Sequence, residues 1–302
     1  MKTRRWLAGL MLAAAVLLSR QSAAQTDHEV VWKPEWRRFS WTNVGFTAVA
    51  GGAALGIALG VDFREDGHRG GVIGDEWVRD TFLAESRQGR ATARVIGDRI
   101  FQFGLVYPYL VDTIAVTWIG NGAPDVALQM TLINLQSQAF AALIGLSTAH
   151  FVGRARPSTD ECERNSDYER FCDAPDENAS FMSGHTATMA TTAGLICAHN
   201  SKLALYGDTP IGLIECVAGI TATATVGMAR IVNDRHWHSD VVAGMTIGAL
   251  SGYVLPMLLH YGWGDSGPPF RGTIDTDDGS IQSVLMPMAG PTSLGVGWSV
   301  LF

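Results

Sequence analysis

Residues suited to binding and attacking an oxyanion gather in three short stretches: GRARP at 153–157, SFMSGHTA at 180–187 and MARIVNDRHWHSDVVAG at 228–244. Arg156 stands before Pro157, which stops a helix and holds the preceding backbone, so its guanidinium is presented at a helix end. A guanidinium fork matches phosphate-type oxygens bidentately and is always charged. Ser183-Gly184-His185 precedes a helical run, where free backbone N–H groups and a hydroxyl can point at one anion. Arg230, His236 and Asp240 complete the set. His236 and Asp240 are four residues apart, one helical face, so the carboxylate is expected to accept from one ring nitrogen and leave the other as a nucleophile.

The same stretch admits a metal reading, because His236-x-His238-x-Asp240 resembles the opening of the metallo-β-lactamase-like signature. That signature continues with His, whereas position 241 is Val, and it follows a strand, whereas helical segments flank this one. The expectation is therefore no metal, with His238 as a rim or packing residue. The structural reading of each motif alone is plainer: a helix-end arginine, a serine cap, an incidental histidine.

The elements that must position these clusters are helical. Apolar segments run over about 101–119, 126–148, 184–199, 211–229 and 240–260, preceded by a Gly- and Ala-rich run from Asn43 to Val61. None shows strand-like alternation, so the body is expected to be all-α, a bundle of about six core helices. Residues 62–100 are highly charged with apolar residues at helical spacing, which reads as amphipathic surface helix with no chemistry. Asp112, Glu215 and the Asn134, Gln136, Gln138 group would be penalised in lipid, and only 241–259 meets the length rule for a span without reservation. The tail from 267 to 302 changes to Gly, Pro and Asp, with strand-like stretches Ile281–Leu285 and Leu294–Phe302 around Ala289-Gly290-Pro291, a short β-hairpin.

At 47% hydrophobic and 17% charged, the chain is apolar for a soluble enzyme. Residues 1–24 have a basic start, a short apolar run and Ser22-Ala23-Ala24, a cleavable export signal, leaving 25–266 as the helical domain. Losing the four basic residues of that signal leaves 18 basic against 29 acidic residues, a net charge of −11, which disfavours a nucleic-acid partner. Cys162 and Cys172, in a polar stretch, suit a disulfide in an exported protein. Cys197 and Cys216, in apolar helical stretches, read as small buried hydrophobes, and no C-x-x-C suggests zinc.

Taken together, the three clusters resemble the type 2 phosphatidic acid phosphatase and vanadium-dependent haloperoxidase superfamily, whose pattern is Lys-x6-Arg-Pro, Pro-Ser-Gly-His and Ser-Arg-x5-His-x3-Asp. Order and third-motif spacing match, over about residues 100–260. Three positions depart: Ala149 replaces the lysine, Met182 the proline and Ala229 the serine. The lysine normally helps bind phosphoryl oxygens, and Arg154 is its candidate replacement. The resemblance implies Arg156, Ser183, Gly184 and Arg230 as the oxyanion cradle, and His236 as nucleophile forming a phosphohistidine. It implies His185 as the acid on the leaving oxygen and Asp240 as the partner of His236. It also implies a metal-independent phosphatase of a lipid phosphate, isoprenoid diphosphate or small ester, without cofactor. The alternatives are a haloperoxidase holding vanadate, or an impaired helical membrane protein. Location is expected to be exported, periplasmic or membrane-associated, with the site on the periplasmic side, although six spanning segments after a cleaved signal would turn that loop to the cytoplasm.

Overall fold

The structure, a computed structural model, describes residues 29–65, 67–169, 172 and 174–263, and the backbone of 270–276, 279–290 and 293–301. The expected signal at 1–24 lies outside the described residues, as does Phe302. Six long helices form the body: α1 (Trp41–Gly60), α3 (Arg87–Tyr107), α4 (Pro124–Phe151), α6 (Gly184–Leu203), α7 (Ile211–Val232) and α8 (His238–Ala249). Helix α3 continues with π-helical winding over Pro108–Gly120, and α8 through π-helical turns at Leu250–Val254 and Met257–Tyr261. Two short helices, α2 (Asp75–Phe82) and α5 (Thr159–Arg164), lie in the connections.

The charged stretch and the apolar segment after it are one rod. Ser86 Oγ accepts the Gly89 N–H at 3.0 Å and starts α3, and no breaker interrupts it before Pro108. The charged first half of α3 is therefore part of the bundle rather than a solvated surface helix, and it carries Arg90, Arg94 and Asp98 toward the site.

Helix α6 is the centre. It is buried nearly all round and packs against α4, α7 and α8. Gly244, Gly248 and Gly252 form a stripe on α8 and its extension, and a Cβ at these positions would meet the backbone oxygens of Ser183, Ala187 and Thr191 at 2.7, 2.3 and 2.0 Å. That close approach sets the start of α6 beside the start of α8, so the second and third clusters meet. Likewise Gly97 of α3 abuts Ala229 of α7, which puts Asp98 next to Arg230.

An apolar core formed by Trp32, Trp36, Met130, Ile133, Leu195 and Tyr261 fills the end away from the clusters. Polar residues of α4 turn inward and are paired: Asn134 Oδ1 lies 2.8 Å from His199 Nε2, Gln136 Oε1 2.9 Å from His260 Nε2, and Gln138 Nε2 donates to Thr192 Oγ1 at 3.2 Å. Glu215 accepts from the hydroxyls of Tyr107 and Tyr206 at 2.6 and 2.5 Å. These side chains therefore find partners inside the bundle rather than in lipid, while Asn134 Nδ2, Gln136 Nε2 and both carboxylate oxygens of Asp112 are buried without a hydrogen-bond partner among the described residues. Among the described residues, four helical stretches are long and apolar enough to cross a membrane: Trp41–Gly60, Arg87–Gly120, Ile211–Val232 and His238–Tyr261. Large apolar side chains such as Val49, Leu59, Ile119 and Ile220 lie exposed on them.

Both cysteine pairs are disulfides. Cys162–Cys172 closes a loop beside α5, and Cys197–Cys216 ties α6 to α7. The second corrects the reading of Cys197 and Cys216 as free buried hydrophobes; close packing of α6 on α7 brings the two together. The tail forms three antiparallel strands, β1 (Phe270–Thr276), β2 (Gly279–Gly290) and β3 (Ser293–Leu301), in order β1-β2-β3, one strand more than the expected hairpin. Gly290 pairs with Ser293 across the β2–β3 turn.

Candidate active site

The C-terminal ends of α4 and α7 and the N-terminal ends of α3, α6 and α8 converge, and the three clusters come together there. Asp240 Oδ2 accepts the Trp237 N–H at 2.9 Å, an acidic third residue reaching back to the helix start. The same oxygen accepts the Ser180 hydroxyl at 2.6 Å, and the Ser180 carbonyl lies 2.7 Å from His236 Nδ1. A carbonyl only accepts, so Nδ1 carries the proton and Nε2 keeps its lone pair. Arg156 Nη1 lies 3.3 Å from that Nε2.

The direct Asp240–His236 hydrogen bond expected from the four-residue spacing is not made. Asp240 Oδ2 stands 3.9 Å from Nδ1, because the Ser180 backbone occupies the ring N–H. Asp240 acts on the imidazole through Ser180. The ring thus has one nitrogen pinned by a carbonyl and the other unprotonated, accepting from Arg156 Nη1.

Arg154 does not join the anion cradle. Its Nη1 donates to Asp240 Oδ1 at 2.6 Å and Ser239 Oγ at 2.7 Å, and its Nη2 to Asp75 Oδ2 at 2.7 Å. A buried guanidinium between two buried carboxylates is a support for Asp240 and the start of α8, so it does not replace the lysine absent at Ala149.

Arg156 is buried, with Nη1 on the Arg235 carbonyl at 2.8 Å and Nη2 on Asp176 Oδ2 at 2.7 Å. Burial and the neighbouring Arg235 lower it to about 10, so it is charged at neutral pH. Arg230 ion-pairs through Nη2 with Asp98, whose carboxylate also stands 3.4 Å from His185 Nε2. His185 packs against Phe101 in a tilted arrangement with ring centroids 4.3 Å apart. Ser183 is fully buried, its hydroxyl 2.8 Å from that of Thr186, and Gly184 begins α6. Burial, then the charges of Arg156 and Arg230, hold His236 well below its ordinary range. Burial and Arg230 likewise lower His185. A carbonyl on Nδ1 and a guanidinium donor on Nε2 suit the neutral form of the His236 ring.

Sequence reasoning missed several residues here. Arg235 binds Asp176 and Glu169, Asp98 bridges Arg230 and His185, and Asp75 holds Arg154 and Ser239. Although burial opposes it, Arg156 and Arg235 hold the Asp176 carboxyl below the usual range. Asp75 and Asp98 sit in the stretch read as a solvated face, where a charge pattern alone does not distinguish outward from inward. Arg235 adjoins His236, and that adjacency was a usable signal. His238 is exposed, and among the described residues no three His, Cys, Asp or Glu side chains gather as a metal site.

Two arginines and an imidazole with one unprotonated nitrogen thus meet at one end of a helical bundle. Residues 130–263 match the model of the PAP2 superfamily. A lipid A 1-phosphatase of Porphyromonas gingivalis is 41% identical over 81 residues, which are 26% of this chain and 16% of that relative's length. A crystal structure of a transmembrane PAP2 type phosphatidylglycerolphosphate phosphatase from Bacillus subtilis aligns with 14% identity and a TM-score of 0.44, over 72% of this chain and 96% of that one.

Proposed function

We propose that this chain is a membrane-embedded, metal-independent lipid phosphatase working through a phosphohistidine at His236. The observation that carries the reading is the lone pair of His236 Nε2, fixed by the Ser180 carbonyl behind the ring and facing Arg156. A neutral, pinned imidazole is a ready nucleophile, and fixed guanidinium groups suit the charge spread over phosphoryl oxygens without a metal. The similarity to a lipid A 1-phosphatase and the exposed apolar helices support a lipid phosphate as substrate.

In this reading the phosphate enters against Arg156, Arg230, Ser183 and the Gly184 N–H, drawing Arg230 from Asp98. Its negative charge offsets the arginine field that keeps His185 neutral, and a monoanionic ester brings a proton that His185 takes up. His236 Nε2 then forms the N–P bond as the ester P–O bond breaks, and His185 gives its proton to the leaving oxygen. Water, deprotonated by His185, attacks phosphorus and breaks the N–P bond, releasing phosphate and neutral His236.

The test is phosphate release from a generic ester and from a short-chain lipid phosphate, both with chelator present. The wild-type chain is expected to turn over and to trap an acid-labile phosphoryl group, and His236→Ala to lose about a thousandfold or more in kcat. Full turnover by His236→Ala, or activity lost to the chelator, refutes the proposal.

A further inference from the structure

Asp112 lies in the π-helical continuation of α3, inside the bundle and about 20 Å along the rod from Asp98 at the active site. We propose that Asp112 and Glu215, with the hydroxyls of Tyr107 and Tyr206, form a binding site for a monovalent alkali cation, apart from the chemistry at His236. Neither acid belongs to the oxyanion site, and both stand in helical stretches long and apolar enough to cross a membrane. An ionisable group placed there is costly and calls for a partner.

Three observations point to a cation. The first is a buried acid with nothing to balance it. Asp112 is fully buried, and both of its carboxylate oxygens lack a hydrogen-bond partner among the described residues. The hydroxyls on its own helix are engaged elsewhere, Thr113 Oγ1 on the Pro108 carbonyl at 2.7 Å and Thr117 Oγ1 on the Asp112 carbonyl at 2.6 Å. The charged group that acts on the Asp112 carboxylate is a second acid, Glu215, and among the described residues no arginine, lysine or histidine does so. A buried charge needs a counter-charge, and an unsatisfied buried polar group in a native fold calls for an ion or a water.

The second is a convergence of oxygens. Glu215, in the first turns of α7, accepts through Oε1 from the Tyr107 and Tyr206 hydroxyls, and through Oε2 from Asn200 Nδ2 at 3.3 Å. Both tyrosines also interact electrostatically with Asp112, so the two acids and the two hydroxyls make one group. A tyrosine hydroxyl that donates its single proton to Glu215 keeps its lone pairs for a cation. The set offers oxygen alone, which suits a hard cation.

The third is the charge count. Glu215 already receives three donors, which offset its charge, whereas the Asp112 oxygens receive none. One positive charge therefore balances the group. No trio of His, Cys, Asp or Glu side chains gathers here among the described residues, so the set is poor for a transition metal. Its members come from the end of α3 and its continuation, from the α6–α7 connection and from the start of α7. A bound ion ties these elements together and stabilises the fold by binding the native state alone.

The test is thermal melting of the detergent-solubilised full chain at pH 8, where protons compete least, in sodium or potassium chloride against choline chloride of equal ionic strength. Wild type is expected to melt about 5 °C higher in one of the two alkali salts, with a rise that saturates as the ion is titrated. Asp112→Asn should melt within about 1 °C in all three salts, and in choline no lower than wild type, because the unbalanced charge is gone. Glu215→Gln should keep a rise but need about tenfold more ion to reach half of it. The absence of a saturating rise in wild type overturns the proposal without recourse to any variant, and so does an equal rise in Asp112→Asn. Indifference to both ions, with Asp112→Asn changing only how melting depends on pH, assigns the group to a shared proton and likewise overturns it.

Discussion

At the scale of single residues, Asp240 holds three donors at once, the Arg154 guanidinium, the Ser180 hydroxyl and the Trp237 N–H, and through Ser180 it fixes the ring of His236. Asp240→Asn keeps the shape but turns an amide NH₂ toward one of these donors, so the imidazole loses its alignment. The expected result is kcat lower by about a hundredfold with KM little changed, because misplacement by an ångström is enough for such a loss. A KM effect alone would show that Asp240 does not position the nucleophile. His236 also leaves a mark on stability. Its folded-state pKa is depressed, so above the ordinary histidine value of about 6.5 both states are neutral and stability is full. As pH falls below that value the unfolded chain gains a proton that the buried ring refuses, and stability declines by up to about 1.4 kcal/mol per pH unit until the folded pKa is reached. Denaturant melts at pH 7 and pH 5 should therefore differ by more in wild type than in His236→Gln. That Arg156, His185, Arg230 and His236 come together was legible in the sequence because their types and spacing are nearly the whole signal. The routing through Ser180 was not, because a side chain four residues away and a backbone carbonyl 56 residues away compete for the same ring N–H, and only the fold decides.

At the scale of elements, the site exists because helices approach closely at glycine. The Gly244, Gly248 and Gly252 stripe lets α8 lie on the α6 backbone, and this sets the distance between Ser183 and His236. A methyl at Gly248 would fall 2.3 Å from Ala187 O and 2.5 Å from Ala190 Cβ, so the helices must part. Gly248→Ala is expected to cost about 1–3 kcal/mol by overpacking and to lower activity more than Gly51→Ala, whose Cβ would rest at an ordinary 3.8 Å from Ala139 Cβ. Thermal melts and phosphate release on the two variants make the comparison, and equal effects would refute it. The helices themselves were readable from their apolar runs, and six core helices are present among the described residues. Their faces were harder to read: α4 and α6 are apolar with scattered polar residues all round, so periodicity gave no direction for Asn134 or Gln136. The first half of α3 looked like a solvated surface because its inward charges meet partners that lie far away in sequence.

At the scale of the whole molecule, the long helices alternate in direction, so the connections 61–86, 152–183 and 233–237 share one end, while an aromatic and aliphatic core closes the other. The loop closed by Cys162–Cys172 lies at the site end, near Glu169 and Asp176, the acids that brace Arg235 and Arg156. This disulfide is separate from the α6–α7 tie of Cys197–Cys216, so it should matter to the site more than to the bundle. Cys162→Ser is expected to leave the main melting transition of the detergent-solubilised chain within a few degrees of wild type. Its kcat/KM should fall by about tenfold, as the acids that hold the two arginines lose their fixed placement. Cys197→Ser should do the reverse, lowering stability by about 3 kcal/mol, as expected for a crosslink of that loop size, with smaller change in kcat/KM for chains that remain folded. If the two variants instead behave alike, the loop at 162–172 is part of the general scaffold and the bracing of Arg156 and Arg235 does not depend on it.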